Sequence, residues 1–434
     1  MTLIRVLITG DCHIGRVSTR IPSDRAPDLS TTAAWQRIVE TAIAEGVDLV
    51  CATGDLADES NRYFQAVGPL ERGVRQLEQH GIPLLAVSGN HDYEVLPRLA
   101  DTIAGSGFRL LGRGGEWERF TLTKDGRDLL HVDGWSFPRR DVKTSPIDSY
   151  QPEKATLPVL AMVHGDLDQP TSRYAPLSRA ALRNAPIVGW MLGHVHAPLH
   201  EEHPDLPFVV YPGSPQALDP GEPGMHGATI ATIEHGQCTE LRRVPISTVR
   251  YDQLSLDLSG VGTLEDATYR LQRAIERELH DAADEGGPHL KTLSLRVELT
   301  GSTSIGGELA DAAGRIRNDL DIESAGVSCV IEQLTTLLRP AVDLDALAQT
   351  ESPVGIVASV IAELKQADTS KPLSGRTKRA IKCVEKALDS TRADTSFSAL
   401  PESDEADART ELVAQAERLL FELLDQTAPR SETP

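Results

Sequence analysis

No stretch of this 434-residue sequence approaches the roughly 18 uninterrupted apolar residues a transmembrane helix needs, so none is expected. Cysteine is scarce as well: Cys12, Cys51, Cys238, Cys329 and Cys383 are odd in number, scattered, and form no CxxC pair. That argues against both a disulfide framework and a zinc ribbon. Cys12 and Cys51 lie in apolar runs and read as small core residues. Residues 1–8 lack the length and cleavage site of a secretory signal and read as a buried strand, so a cytoplasmic location is expected. Cationic charge is also in deficit, with 43 Lys and Arg against 64 Asp and Glu and a formal net charge of −21. The surplus acids are spread over both halves, and Arg outnumbers Lys. Such a surface does not attract nucleic acid globally, because counterion release favours basic proteins. A salty cytoplasm and a generally acidic proteome each account for it.

What is present is layered α/β patterning. Over the first 240 residues, short apolar runs at 47–53, 83–88, 157–163, 187–192 and 206–211 alternate with helical patterns. Residues 32–44 place Trp35, Ile38, Val39, Ala42 and Ile43 at helical spacing, and residues 63–80 end before Gly81 and Pro83. A different unit begins near Pro245. Thr263-Leu-Glu-Asp266 resembles a capping box opening a helix to about residue 284, and the alternation of residues 292–299 predicts a half-buried strand. From about residue 339 the chain reads as helical. Residues 353–364 carry one apolar face, 394–407 form a Ser/Asp/Glu/Pro-rich flexible linker, and 410–425 carry a final leucine stripe. The expected domains are 1–244, 245–338 and 339–434.

Five short motifs occur in order, each directly after an expected strand. They are Asp11-Cys-His13, Gly54-Asp55-Leu-Ala-Asp58, Gly89-Asn90-His91-Asp92, His164-Gly-Asp166 and Gly193-His194-Val-His196. Singly each reads as chance or as a structural histidine. Together, at successive strand-to-loop junctions, they point to one centre. Oxygen and imidazole donors without thiolate suit Mn²⁺, Fe²⁺ or Zn²⁺ rather than a zinc finger. In Asp-x-His and His-x-His, residues two apart can face the same side of an extended segment. Two cations about 4 Å apart activate water and neutralise charge on a phosphoryl oxygen, which suits phosphate ester hydrolysis.

These motifs resemble those of the calcineurin-like metallophosphoesterase superfamily over about the first 240 residues. The resemblance implies a layered α/β/β/α core, followed here by a small α/β cap and C-terminal helices. It implies that Asp11, His13 and His196 bind one metal, that Asn90, His164 and His194 bind the other, and that Asp55 bridges both. His91 would protonate the leaving oxygen with Asp92 orienting it, while Asp58 and Asp166 support ligand histidines. Two divalent ions, with Mn²⁺ foremost, would be the cofactors. Asp11-Cys-His-Ile-Gly15, Gly54-Asp-Leu-Ala-Asp58 and Tyr211-Pro-Gly-Ser-Pro-Gln216 further resemble SbcD-type double-strand-break-repair nucleases. Gly134-Trp-Ser-Phe-Pro138 and Leu295-Arg-Val-Glu-Leu-Thr-Gly301 are similar to segments of the YhaO-like branch. Archaeal and eukaryotic relatives carry His where this chain has Asp58, so a role for that His does not transfer.

The branch resemblance implies a DNA exonuclease, with endonuclease action left open, partnered by an SbcC-type SMC-like coiled-coil ATPase. Homodimer assembly is left open and no membrane partner is expected. The stripe at 410–425 is the candidate for ATPase docking, with an ordinary core-docked helix as the alternative, and Arg139, Arg140 and Lys143, close to Trp135 and Phe137, are either a solvated turn after a strand or a DNA-gripping rim. A phosphoesterase for small phosphodiesters or phosphomonoesters, and a non-catalytic assembly subunit, remain alternatives. The intact ligand set opposes the second of these, and the cap and added helices oppose the first.

Overall fold

A computed structural model describes residues 3–21, 29–58, 63–103, 107–152, 155–320, 322–341, 343–365, 372–392, 412, 413, 415–420 and 423. The chain divides into two units, Met1–Gly301 with Ile305–Leu338, and Ser302–Ser304 with Arg339–Pro434.

The first unit opens with four parallel strands, β1 (Ile4–Thr9), β2 (Leu49–Ala52), β3 (Leu84–Ala86) and β4 (Phe108–Leu110). The crossovers that parallel pairing requires are α1 (Thr31–Ala44), α2 (Tyr63–Gln79) and α3 (Val95–Thr102). A second sheet is built from β5 (Glu118–Lys124), β6 (Arg127–Trp135), β7 (Val159–His164), β8 (Gly189–Gly193), β9 (Leu199–Glu201) and β10 (Phe208–Tyr211). Its order is β5-β6-β7-β8-β10-β9, with α4 (Arg179–Arg183) between β7 and β8. Then β11 (Gly227–Glu234) and β12 (Gln237–Pro245) return to the first sheet, where β11 pairs antiparallel with β1.

Alternating side chains explain the layers. Val6, Ile8, Leu49 and Leu85 of the first sheet meet Leu130, Leu160, Met162 and Val210 of the second. The opposite face of the first sheet, with Leu7, Val50 and Leu84, packs under Trp35, Ile38 and Val39 of α1 and Leu70 and Val74 of α2. The outer face of the second sheet buries Trp190, Ala161 and Val209 beneath Leu177, Leu182 and Tyr150. This fourth layer is poor in helix: α4, a 3-10 turn at Pro146–Ser149 and the segments around them cover it. Trp135 and Phe137 are also core residues here, so the expected aromatic partners of the basic rim are buried and only the charges are exposed.

A parallel β-α-β-α-β cap follows, still within the first unit. It comprises β13 (Val249–Asp257), α5 (Leu264–Gly286), β14 (Thr292–Thr300), α6 (Gly306–Asp319) and, after β15 (Ser302–Thr303) of the second unit and a short β16 (Glu323–Ser324), β17 (Val327–Thr336). The Thr263 hydroxyl caps α5 by accepting from Asp266 N at 3.1 Å, and Gly287, at φ 64°, follows its last residue. β14 meets the half-buried expectation in its second half, where Arg296 and Thr300 are partly exposed and Glu298 is exposed, and departs from it in its first. It is the central strand, and Thr292 and Ser294 on its polar face are buried together with Leu293, Leu295 and Val297 on the other. Alternation reported only which face meets α5 and α6. The polar face of this sheet meets the loop after β1, where the Tyr251 hydroxyl donates to Thr19 O at 2.5 Å; within the sheet, Arg296 of β14 pairs with Glu332 of β17 at 2.7 Å.

The second unit pairs β15 with β18 (Arg339–Pro340) and adds α7 (Leu344–Ala348), α8 (Pro353–Lys365) and α9 (Gly375–Arg392). Its core joins Val354, Ala358 and Ile361 of α8 to Ala416 and Leu420 of the last helical stretch. That packing is what the core-docked alternative for 410–425 expects, and it uses Ala416 and Leu420 of the stripe within its own unit. The expected linker 394–407 lies outside the described residues. Among the described residues no helix is long and apolar enough to cross a membrane.

Candidate dinuclear metal centre

Every ligand-type residue sits where a parallel strand ends. Asp11 and His13 follow β1, Asp55 follows β2, Asn90 follows β3, His164 ends β7, and His194 and His196 follow β8. Strand ends on the same edge of two packed sheets bring these loops together, as open α/β sheets do generally. The loops are tightly wound. Asp11, His13, Asp55 and His194 have φ of 50°, 43°, 50° and 101°, conformations that side chains other than glycine rarely adopt and that cluster at functional sites. Gly54 turns at φ 104° in front of Asp55. Gly89 has an ordinary φ, but a Cβ there would lie 2.2 Å from Asp55 Oδ1 and 2.7 Å from His164 Cε1. No other residue fits there.

The donor atoms converge. Donor atoms of Asp11, His13 and His196 lie within 4.8 Å of one another, as do those of Asp11, Asp55 and His164, and those of His13, Asp58 and His91. Asn90 Oδ1 lies 3.1 Å from His164 Nε2 and 3.0 Å from His194 Nδ1, and Asp55 Oδ2 lies 3.3 Å from His164 Nε2. His13 Nε2 and His196 Nε2 face each other at 3.3 Å.

The partners outside this cluster assign the tautomers. His164 Nδ1 faces the Thr53 carbonyl at 3.0 Å, so the neutral ring places its proton there and turns the Nε2 lone pair toward Asp55 and Asn90. His196 Nδ1 faces Glu222 Oε1 at 2.5 Å, leaving the Nε2 lone pair toward Asp11 and His13. His194 Nε2 faces Asp166 Oδ1 at 3.3 Å, which turns Nδ1 inward. Lone pairs of three histidines, two carboxylates and an amide then point at one another, with His13 Nδ1 buried and lacking a hydrogen bond. Acceptors facing acceptors repel unless cations lie between them. The all-oxygen-and-imidazole set fits a pair of divalent ions, and carboxylates behind the ring nitrogens are the usual support. The Cys12 thiol takes no part: burial pushes it up to about 12, and it turns to Thr9 and the Gly10 carbonyl.

Electrostatics agrees. Burial favours a neutral Asp55, yet His164 first, then His13 and His91, hold its carboxyl far below the usual range. Burial likewise opposes a charged His164, and Asp55 overcomes it and lifts the ring to about 9. In this arrangement a proton stands in for the positive charge a metal would bring. His194 is lowered by burial and by His164. His196 is raised despite burial because of Glu222 and Asp11.

One role differs from expectation. Asp92 is fully buried, and its carboxylate accepts from Gly89 N (2.8 Å), Leu56 N (2.8 Å) and Ala57 N (3.4 Å), tying the β2 and β3 loops together. Burial and the nearby Asp55 push it up to about 7. The carboxylate facing His91 Nδ1 is instead Asp58, at 3.9 Å, which also faces His13 Nδ1 at 3.5 Å. His91 N donates to Asp55 Oδ1 at 2.9 Å, and its ring keeps 33% exposure, so it can reach a bound substrate. Asp166 stands behind His194 and accepts from Ser172. Glu222 was not anticipated. It stands 26 positions beyond His196, and no spacing rule links the two, although it closely follows the Tyr-Pro-Gly-Ser-Pro-Gln segment. That segment has a structural use of its own: Ser214 N donates to His196 O at 3.0 Å, and buried Gln216 joins Ser18, Thr248 and Arg37.

Residues 4–198 match the calcineurin-like phosphoesterase family, and residues 251–339 match the middle domain of the metallophosphoesterase YhaO. The chain is 27% identical over 228 residues to the metallophosphoesterase YhaO of Bacillus subtilis, covering 48% of this chain and 50% of that protein. It is 27% identical over 301 residues to the DNA double-strand break repair protein Mre11 of Haloferax volcanii, covering 64% of this chain and 60% of that one. To Mre11 of Methanopyrus kandleri it is 24% identical over 292 residues, 62% and 63% of the two chains. The chain thus spans about half to three-fifths of the length of these relatives. Among solved structures, a dimetal phosphatase from Danio rerio aligns at 12% identity and a TM-score of 0.35 over 56% of this chain and 97% of that one.

Proposed function

Since residues 4–198 belong to the calcineurin-like phosphoesterases and are followed by a YhaO-type middle domain, we propose that the chain is a metal-dependent nuclease that hydrolyses DNA phosphodiesters near ends. The observation that carries the hydrolytic part is the convergence of Asp11, His13, Asp55, Asn90, His164, His194 and His196 as facing lone pairs. The similarity to proteins named for DNA double-strand break repair supports the choice of DNA. Asp11, His13 and His196 would hold one ion, Asn90, His164 and His194 the other, with Asp55 between them and Mn²⁺ the preferred metal. Such ions supply Lewis acidity toward the phosphoryl group. Around them Asp166 and Glu222 fix the ring orientations, and partly exposed His91 gives a proton to the leaving oxygen. A coiled-coil SMC-like ATPase is the proposed partner.

The test is a substrate panel with purified protein and Mn²⁺ at low and high salt: duplex ends, single strands, hairpins, a cyclic nucleotide and a chromogenic phosphodiester. Cleavage of DNA near ends with little cyclic-nucleotide turnover is expected. Charge reversal at exposed Arg139, Arg140 and Lys143 should weaken DNA binding without abolishing chromogenic turnover. Rapid turnover of small phosphodiesters with no DNA cleavage at any salt would make the protein a small-molecule phosphoesterase, a reading that its net charge of −21 favours.

A further inference from the structure

Helix α9 carries charge of the opposite sign to the rest of the molecule. Its 18 residues, Gly375–Arg392, hold six basic side chains against two acidic ones, in a chain of formal charge −21. The arrangement is one-sided. Thr377 and Ile381 are buried, while Arg376, Lys378, Arg379, Lys382 and Lys386 are all exposed. At 100° per residue those five fall on one arc of about 160°, which also takes in the register position of Asp389, and Thr377 and Ile381 lie outside it. Among the described residues none of the five is drawn into a salt bridge, whereas Lys365 and Arg339 of the same unit both pair with Glu417. A solvated helix face in an acidic protein has no need of five like charges, which repel one another at spacings of three and four residues.

We infer that this face of α9 grips the phosphate backbone of duplex DNA, independently of sequence. Lys378, Lys382 and Lys386 span about 12 Å along the helix, room for phosphates over three or four base pairs at about 3.4 Å each. A membrane surface fits less well, because an interfacial helix needs an apolar face free to insert, and here Thr377 and Ile381 are buried. A local basic stripe also resolves how an acidic chain holds DNA: only the contacted strip need be positive, while the remaining surface repels wrong approaches. The inference rests on the nuclease reading for its choice of DNA, but it concerns binding and not hydrolysis.

The test is fluorescence anisotropy of the full-length protein with two unrelated duplexes, in chelator so that nothing is cleaved, across a salt series. K378E/K382E/K386E is compared with the wild type and with a control that reverses exposed Arg270, Arg277 and Arg315. At roughly 0.9 per phosphate contact, the log–log salt slope should flatten by about 2.7, with affinity down on the order of 10²-fold near 0.1 M salt. The loss should be equal for both duplexes, much smaller in the control, and milder in K378Q/K382Q/K386Q. Overlaid circular dichroism melts establish that the variants fold. Unchanged affinity and slope, an equal loss in the control, or a wild type that binds no duplex overturns the inference. So does a lowered melting temperature with unchanged DNA binding, which would mean that acidic residues of the chain itself cover the face. The two readings separate cleanly. A wild type that binds through α9 but cleaves only small phosphodiesters sinks the nuclease; one that cleaves DNA while the variant binds equally well sinks α9.

Discussion

Asp55 and His91 lie one hydrogen bond apart, through His91 N and Asp55 Oδ1 at 2.9 Å, yet their substitutions should read out differently. Asp55 faces the buried cluster, so Asp55→Ala is expected to lose bound metal and all hydrolysis. His91 stands at the rim, so His91→Ala should keep both metals and lose about 10²–10⁴-fold in turnover, the usual share of general acid catalysis. Elemental analysis beside an activity assay decides: metal loss in His91→Ala, or activity in Asp55→Ala, contradicts the roles. The pH behaviour follows from His164, whose folded value of about 9 stands above the ordinary value of about 6.5. A raised histidine stabilises the metal-free protein below about pH 6.5, and that contribution is lost as pH rises through 9. Asp55, held low, contributes above its ordinary range and loses this only in acid. A metal displaces the His164 proton, so apparent metal affinity should climb with pH up to about 9, with proton release on binding. Titration calorimetry in buffers of different ionisation enthalpy measures that release; its absence at pH 7 would show that the ring is neutral before metal arrives.

At the scale of elements, the second unit offers the clearest expectation. Leu420, 2% exposed, packs with Ala358 and Ile361, both fully buried, so Leu420→Ala should cost about 2–5 kcal/mol in that unit. DNA cleavage should be retained while an early transition appears in a denaturation scan; a single unshifted transition would place Leu420 outside the core. What could be read from the sequence depended on the kind of signal. Helices with apolar spacing were legible, and α1 begins within one residue of its expected start. The antiparallel hairpins lie outside the apolar-run pattern, although their turns are spelled out in the sequence. Asp125-Gly126 (φ 52° and 71°) and His235-Gly236 (φ 53° and 80°) each place two left-handed residues between strands, the tight-hairpin signature. The loops that supply ligands were legible because an Asp, Asn or His repeatedly follows an apolar run. Glu222 was not, because only the folded chain brings it to His196, and neither was the bracing role of Asp92, which depends on amides from two separate loops.

Across the whole molecule, the ATPase proposal now has to use what the second unit leaves uncovered. Ile356 and Leu419 remain 43% and 46% exposed although their helices are packed. Ile356→Asp with Leu419→Asp should abolish pull-down of the coiled-coil ATPase from the same organism and leave DNA cleavage by the isolated chain intact. Full retention would move the docking surface elsewhere; loss of cleavage as well would mean that the substitutions disturb more than a surface.

The return of β11 to pair with β1, from Ile4↔Ile233 to Ile8↔Thr229, sets an order of events during synthesis. The first strand to leave the ribosome finds β2 early but waits for its other neighbour until the chain has grown past residue 233, and its open edge meanwhile can recruit any passing strand. Glu222, which orients His196, comes from the segment just ahead of β11. A growing chain stalled short of residue 222 therefore holds every ligand-type residue without the carboxylate that aims His196.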